Sequence, residues 1–195
     1  MGNIAIFGGT FNPFHIGHYQ ILETLCETEW IDKVLVMPDK LPPHKDCDFL
    51  ASDNDRINMC KIVCEDFHKA EPCLIEFERE GRSYSIDTVL LLKSLYPNDS
   101  FYFVCGGDMI ATLDRWRSWQ ELIKVTAFIA FSRSGMSDFE NHVERMRKLG
   151  ARIHIIDREI TEISSSSLRQ KLNREMLPEK VYSYIIKRNI YNEQL

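Results

Sequence analysis

The chain lacks any extended apolar run; its hydrophobic stretches are short and interrupted by charge, and no basic stretch leads into an apolar signal core at its start. That excludes a membrane-spanning helix and predicts a soluble, cytoplasmic protein with no export or membrane address. Glycine (9) and proline (7) stay at ordinary levels and there is no low-complexity tract or internal repeat, so collagen-like and disordered classes fall away. No Cys-x-x-Cys pair occurs among the six cysteines, which reads as reduced thiols rather than a disulfide framework. Cys60, Cys64 and His68 follow one another at i, i+4 steps and could hold zinc from one helix face. A fourth ligand is not apparent, and buried thiols on an apolar face are the preferred reading. Cations are outnumbered, 24 Lys and Arg against 29 Asp and Glu, for a net charge of −5. No general field draws DNA or RNA, and a polyanionic partner has to be held by a local cluster of cations.

What is present is an ordinary globular composition, 44% hydrophobic and 27% charged over 195 residues. At this length folding hides roughly 70% of the surface, so neither a metal nor a disulfide is needed, and a single domain over residues 1–195 is expected. Residues 3–7, rich in β-branched and aromatic side chains, meet Gly8-Gly9 and read as a buried first strand. A helical period follows over 17–30, then a second buried strand over 33–37 ended by Pro38. Strand, helix, strand is a parallel crossover unit. The alternation continues: a loop at 39–48, a helix from Ser52 as N-cap to about His68, a strand over 73–77 and a helix over 85–96. Further on come a strand over 101–105, a helical stretch holding Trp116 and Trp119, a strand over 127–131, a helix over 138–149, a strand over 152–156 and two last helices. The fold class is α/β, a doubly wound Rossmann-like parallel sheet with helices on both faces and a small helical C-terminal end.

In such sheets ligands sit beyond the carboxyl ends of the strands. After the first strand stands Gly-Gly-Thr-Phe-Asn-Pro-Phe-His-Ile-Gly-His at 8–18. Two glycines let a backbone approach a ligand and aim amides at an anion, and two histidines three apart face one spot at a helix start. Either feature alone is more simply a turn or a cap; together in one segment they point to phosphate. After the last strand stands Ile-Ser-Ser-Ser-Ser-Leu-Arg at 163–169. Four serines alone would read as a linker, but Leu168 and Leu172 keep a helical period, so a hydroxyl-lined helix start with Arg169 as a phosphate clamp is preferred. A third segment, Pro-Pro-His-Lys at 42–45, together with Arg56 and Arg133, offers cations, with a solvated surface loop as its alternative.

These two segments resemble the His-x-Gly-His and Ile-Ser-Ser-Thr-x-Ile-Arg signatures of the nucleotidylyltransferase superfamily. The blocks between and beyond them are similar to those of the bacterial nicotinate mononucleotide adenylyltransferases: Pro-Pro-His-Lys at 42–45, Arg-Ser-Tyr-Ser-Ile-Asp-Thr at 82–88, Gly-Gly-Asp-Met at 106–109, Trp116, Ser-Arg-Ser-Gly at 132–135, and Leu-Pro-x-x-Val-x-x-Tyr-Ile at 177–185. The likeness covers essentially the whole chain in the family's order. It departs at Ser166 and Ser85, each where threonine is usual, and at Arg117, where an aromatic side chain is common.

The resemblance implies attack of the nicotinate mononucleotide phosphate on the α-phosphorus of ATP, with Mg²⁺ arriving on the nucleotide and no metal bound by the protein itself. It implies catalytic roles for His15, His18 and Arg169, and an ATP site of Gly8, Gly9, Thr10, Phe11, Gly106, Asp108, Ser165 and Ser166 with those three. It further implies an acceptor site of Thr10, His44, Lys45, Tyr84, Ser85, Thr88, Asp108, Trp116, Arg117 and Arg133. Within that set, Trp116 is the ring-stacking face and Arg133 a contact for the mononucleotide phosphate. No nucleic acid and no membrane are expected as partners, and a homo-oligomer is left open. Other acceptors, pantetheine phosphate or nicotinamide mononucleotide, are the nearest rivals; a silent nucleotide-binding module is the rival of another class.

Overall fold

Along a strand, successive side chains point to opposite sides, and here both sides are apolar, so the sheet is covered twice. The computed structural model describes residues 1–40, 51–79, 83–131 and 138–191. Its strands are β1 (Asn3–Gly9), β2 (Lys33–Pro38), β3 (Ala70–Pro72), β4 (Ser100–Gly106), β5 (Ala127–Phe131) and β6 (Ile153–Ile156). They form one sheet in the order β3-β2-β1-β4-β5-β6, every neighbouring pair parallel. The helices are α1 (Ile16–Glu27), α2 (Asp53–Cys64), α3 (Ser85–Leu95), α4 (Gly107–Ala111), α5 (Trp119–Val125), α6 (Phe139–Lys148), α7 (Ser165–Gln170) and α8 (Glu179–Arg188). Ile4, Ile6, Phe101, Phe103 and Phe128 pack with Val89 and Leu92 of α3, Leu122 of α5 and Met146 of α6. Ala5, Phe7, Val36, Val104 and Ile129 pack with Leu22 and Leu25 of α1, Met59 of α2, Leu168 of α7 and Ile185 of α8. The winding reverses between β1 and β4, and the crevice at their carboxyl ends is where such sheets take ligands.

The doubly wound sheet expected from the alternation is present, with its C-terminal helices. Three local expectations are corrected. The third strand is Ala70–Pro72, pairing with 34–36 of β2, and residues 73–77 leave the sheet, where Ile75 enters the core and Glu76 turns toward the crevice. The helix capped by Ser52 ends at Cys64, short of His68. The stretch after Asp108 is broken into α4, a single 3-10 turn at Leu113–Arg115 and α5, with Ser118 in the left-handed region at φ 51°. Trp116 lies in that break, off any helix, and its ring meets Phe103 edge-on at 5.8 Å.

The last helix is tied to α2 through one carboxylate. Asp55 Oδ2 accepts from the Ser52 hydroxyl at 2.6 Å, while Oδ1 accepts from the Tyr184 hydroxyl at 2.8 Å and from Arg188 Nε at 3.3 Å. Burial acts to raise the Asp55 carboxyl, but the hydrogen bonds from Ser52, Tyr184 and Arg188 outweigh it and hold the group below the usual aspartate value. A depressed carboxyl stabilises the fold above its unfolded value of about 3.9, and that contribution is lost as pH falls through the folded value. Asp55→Asn is therefore expected to cost about 1–3 kcal/mol at pH 7. Urea unfolding at pH 7 and pH 3 checks it: the gap to wild type narrows at the acid end, and a gap independent of pH refutes the assignment.

Candidate active site

The turn after β1 is held by aromatic packing. Phe11 adopts φ 47°, and its ring stacks on Phe14 with centroids 4.8 Å apart. A Cβ on Gly9 would lie 3.2 Å from the Phe11 ring, so a side chain there would press on the ring that folds over the strand end. His15 and His18 then begin α1 by capping each other. The His18 N–H donates to His15 Nδ1 and the His15 N–H to His18 Nδ1, both at 3.3 Å, and the rings stack with centroids 3.6 Å apart. An Nδ1 that accepts a backbone N–H carries no proton, so the neutral rings carry theirs on Nε2, which makes Nε2 the donor atom of each. His18 lines the crevice, while His15 is buried.

The two signature segments, at opposite ends of the sequence, meet here. Arg169 Nη1 donates to the Asn12 carbonyl at 2.9 Å and Nη2 to the Ser166 hydroxyl at 3.2 Å. The Thr161 N–H donates to Gln20 Oε1 at 2.8 Å, laying the segment that leads into α7 along α1. A Cβ on Gly17 would stand 2.6 Å from the Thr161 carbonyl and 3.3 Å from the His15 ring. Glycine between the histidines is thus a condition for this contact. Beneath the turn, fully buried Arg56 donates through Nη1 to the Thr10 carbonyl at 2.9 Å and pairs with Asp53 at 2.5 Å. Its charge is spent on positioning the turn, not offered to a ligand.

A cavity of about 710 Å³ opens at the crevice, a size suited to nucleotide-sized ligands. Gly8, Gly9, Thr10, Phe11, His18 and Ser165 form one part of its wall. Tyr84, Ser85, Trp116 and Arg117 form another, with Asp39, Glu76 and Asp108 adding carboxylates and Met37 and Phe103 an apolar floor. Helix α3 begins at this wall, and Tyr84, its N-cap residue, makes no side-chain cap hydrogen bond. The Arg117 guanidinium lies over the Tyr84 ring, 4.5 Å from its centroid. The side chain that departs from the family's aromatic thus stacks on an aromatic neighbour and brings a positive charge to the same wall.

Of the residues expected at the site, Gly8, Gly9, Thr10, Phe11, His18, Asp108, Ser165, Tyr84, Ser85, Trp116 and Arg117 line the cavity. His15, Ser166 and Arg169 are not in the lining; they adjoin it through the bonds above, with His15 buried and Ser166 exposed. Gly106 caps α4 behind the lining. Thr88 is corrected: it is fully buried, its hydroxyl donating to Glu76 Oε1 at 2.9 Å and accepting from Arg79 Nη2 at 2.7 Å, so it supports the wall from within and does not reach a ligand. His44, Lys45 and Arg133 lie outside the described residues. Sequence reasoning missed Asp39, Glu76 and the supporting roles of Arg56 and Arg79; the strand misassigned over 73–77 hid Glu76. Cys60 and Cys64 are buried free thiols pushed up by burial, Cys64 to about 12, and no group of three potential metal ligands occurs among the described residues.

Comparison with known proteins agrees with this geometry. The cytidylyltransferase-like family model matches residues 6–171. A probable nicotinate-nucleotide adenylyltransferase of Shouchella clausii is 36% identical over 99% of this chain and 98% of its own. The chain belongs to the nicotinate-nucleotide adenylyltransferases. The nicotinate-nucleotide adenylyltransferase of Bacillus subtilis is 34% identical over 98% of this chain and 99% of its own. Two structures of the Plasmodium falciparum nicotinic acid mononucleotide adenylyltransferase, complexed with APC and with NaAD, superpose with a TM-score of 0.81, at 25% and 26% identity, over 98% of both chains. This member of the family is therefore a nucleotidyltransferase that uses ATP, and among its described residues no helix is long and apolar enough to cross a membrane.

Gly17→Ala tests the joint between the two signatures. The methyl group has to displace a backbone carbonyl, so the variant is expected to lose about 1–3 kcal/mol of stability and at least about tenfold in turnover. Thermal melting and pyrophosphate release check it; wild-type values in both refute the close packing of Thr161 on α1.

Proposed function

We propose that this protein joins the phosphate of nicotinate mononucleotide to the AMP moiety of ATP, giving nicotinate adenine dinucleotide and pyrophosphate, with residues 1–195 acting as one catalytic unit. The observation that carries the reading is that His18 and Ser165, far apart in sequence, line one cavity together with the uncapped start of α3 and Trp116. The acceptor phosphate, with a second pKa near 6, is already a nucleophile at pH 7. Its oxygen forms the new bond to the α-phosphorus as the bond to the β-phosphate oxygen breaks, and pyrophosphate leaves with that electron pair. No side chain has to remove a proton. The chain's work is to hold two polyanions in line and to meet the charge that moves onto the leaving phosphates.

The amides of residues 8–11, the Nε2 donors of His18 and His15, the Ser165 and Ser166 hydroxyls and Arg169 are assigned to the triphosphate. Oxygen donors suit a hard cation, and Asp108 and Asp39 are in the lining. Asp108 is the residue assigned to Mg²⁺, which would neutralise triphosphate charge. Trp116 supplies a stacking face for the pyridine ring. The α3 amides and the Arg117 guanidinium favour a ring carboxylate, whereas a carboxamide would turn its own NH₂ toward donors. The described cysteines, all free, suit a reducing cytoplasm.

The purified protein, given ATP and Mg²⁺ with nicotinate mononucleotide, nicotinamide mononucleotide or pantetheine phosphate in turn, is expected to release pyrophosphate at least about tenfold faster with the first. Faster release with an acceptor lacking the ring carboxylate overturns the substrate assignment. His18→Ala is expected to lower turnover by about 10²–10³, since it removes a donor needed as charge moves. Single-turnover measurements check this, and unchanged turnover takes His18 out of the chemistry.

A further inference from the structure

The chain beyond α8 returns to the site. Asn189 and Tyr191 both adopt left-handed backbone, at φ 57° and 66°, and the Ile190 N–H bonds back to the Ile185 carbonyl at 3.0 Å. This reversal delivers the Tyr191 side chain to the turn after β1, where its hydroxyl lies 2.5 Å from Asn12 Oδ1. An amide oxygen only accepts, so Tyr191 is the donor. The same Oδ1 accepts the Ala51 N–H at 3.0 Å, just before α2, and the Asn12 carbonyl accepts Arg169 Nη1 at 2.9 Å. Asn12 is 3% exposed and directly follows Phe11 of the cavity wall. Three distant segments thus close on one residue next to the triphosphate wall: the start of α2, the arginine of α7, and the end of the described chain.

Asn189 closes α8 as a left-handed cap, which asparagine tolerates, whereas left-handed backbone at Tyr191 costs about 1 kcal/mol or more and persists where contacts hold it. Burial keeps the Tyr191 hydroxyl protonated well above neutral pH, against the lowering influence of nearby Arg169 and Arg56. It is therefore a constant donor. With both acceptor directions of Oδ1 occupied, the Asn12 side chain is fixed; without the hydroxyl, a buried amide oxygen loses a partner and the turn gains freedom. Arg169, whose direction is set by the carbonyl of that same residue, gains it too.

We propose that Tyr191 is a positioning residue for ATP: its hydroxyl fixes Asn12, and through Asn12 it sets the Arg169 guanidinium against the amides of residues 8–11 in a preformed triphosphate cradle. The proposal rests on the assignment of this wall to ATP. It touches neither the acceptor wall nor the reacting atoms.

Tyr191→Phe in the full chain removes the hydroxyl and keeps the ring. Calorimetric titration with a non-hydrolysable ATP analogue, well below the melting temperature, is expected to show Kd raised about 3- to 10-fold, with KM for ATP raised alike and KM for the acceptor within about twofold. In an Arg169→Lys background the same substitution is expected to change analogue binding by less than about twofold, because the link through Asn12 is already cut. Wild-type analogue affinity in Tyr191→Phe, an equal rise in both KM values, or additive effects with Arg169→Lys each overturn the proposal; a lowered melting temperature with unchanged kinetics marks a merely structural role and does the same. Binding of the analogue is read without any acceptor. A wild-type protein that binds it but ignores nicotinate mononucleotide therefore defeats the functional reading alone, and weaker binding by Tyr191→Phe then still supports the positioning role.

Discussion

The hydrogen bond from Arg169 to the Asn12 carbonyl is the constraint on which the site depends, because it joins the first crossover of the sheet to the segment after its last strand. A parallel sheet leaves every strand's carboxyl end on one edge, so residues from opposite ends of the chain become neighbours without any long excursion. The contact of Gly17 with the Thr161 carbonyl reinforces the joint one turn away. Between them, α1 and α7 share one cavity wall, to which they contribute His18 and Ser165. The chain as a whole is negative, and the cavity lining sets Arg115 and Arg117 beside Asp39, Glu76 and Asp108.

Support for this wall is layered. Arg56 is withdrawn from solvent to hold the Thr10 carbonyl, and Thr88, Glu76 and Arg79 form a polar brace under the opposite wall. Asp55 links α2 to α8, and α8 ends in the turn that brings Tyr191 to Asn12. Specific hydrogen bonds at these largely buried side chains tie the elements together, while Arg56 Nε, Glu76 Oε2 and Arg79 Nε are buried without a partner among the described residues.

The alternation of apolar strands with helical periods, and the punctuation by glycine and proline, made the sheet and its winding legible, because both faces are buried and each strand reads as a continuous apolar run. Part of the cavity wall was legible for a related reason: Gly8, Gly9 and His18 sit around the first strand–helix junction and Ser165 opens the helix after the last strand, where side chains and backbone reach the crevice. Residues whose partners lie far away in sequence were not. Thr88 looks like a ligand contact in a polar motif, but its hydroxyl is consumed by Glu76 and Arg79. Arg56 looks like one more phosphate cation, but it is drawn inward by a carbonyl. Glu76 was hidden inside an apolar run that looks like a strand, and nothing in the local pattern around Tyr191 announces a contact with residue 12.

The reciprocal capping of His15 and His18 also limits how the pair can respond to change. Each imidazole is oriented by the main chain of the other, so neither can reorient without releasing its companion. A soft metal that captured either Nδ1 would have to unwind the first turn of α1 to do so. Capture of the pair by zinc or copper is thereby opposed by the helix itself.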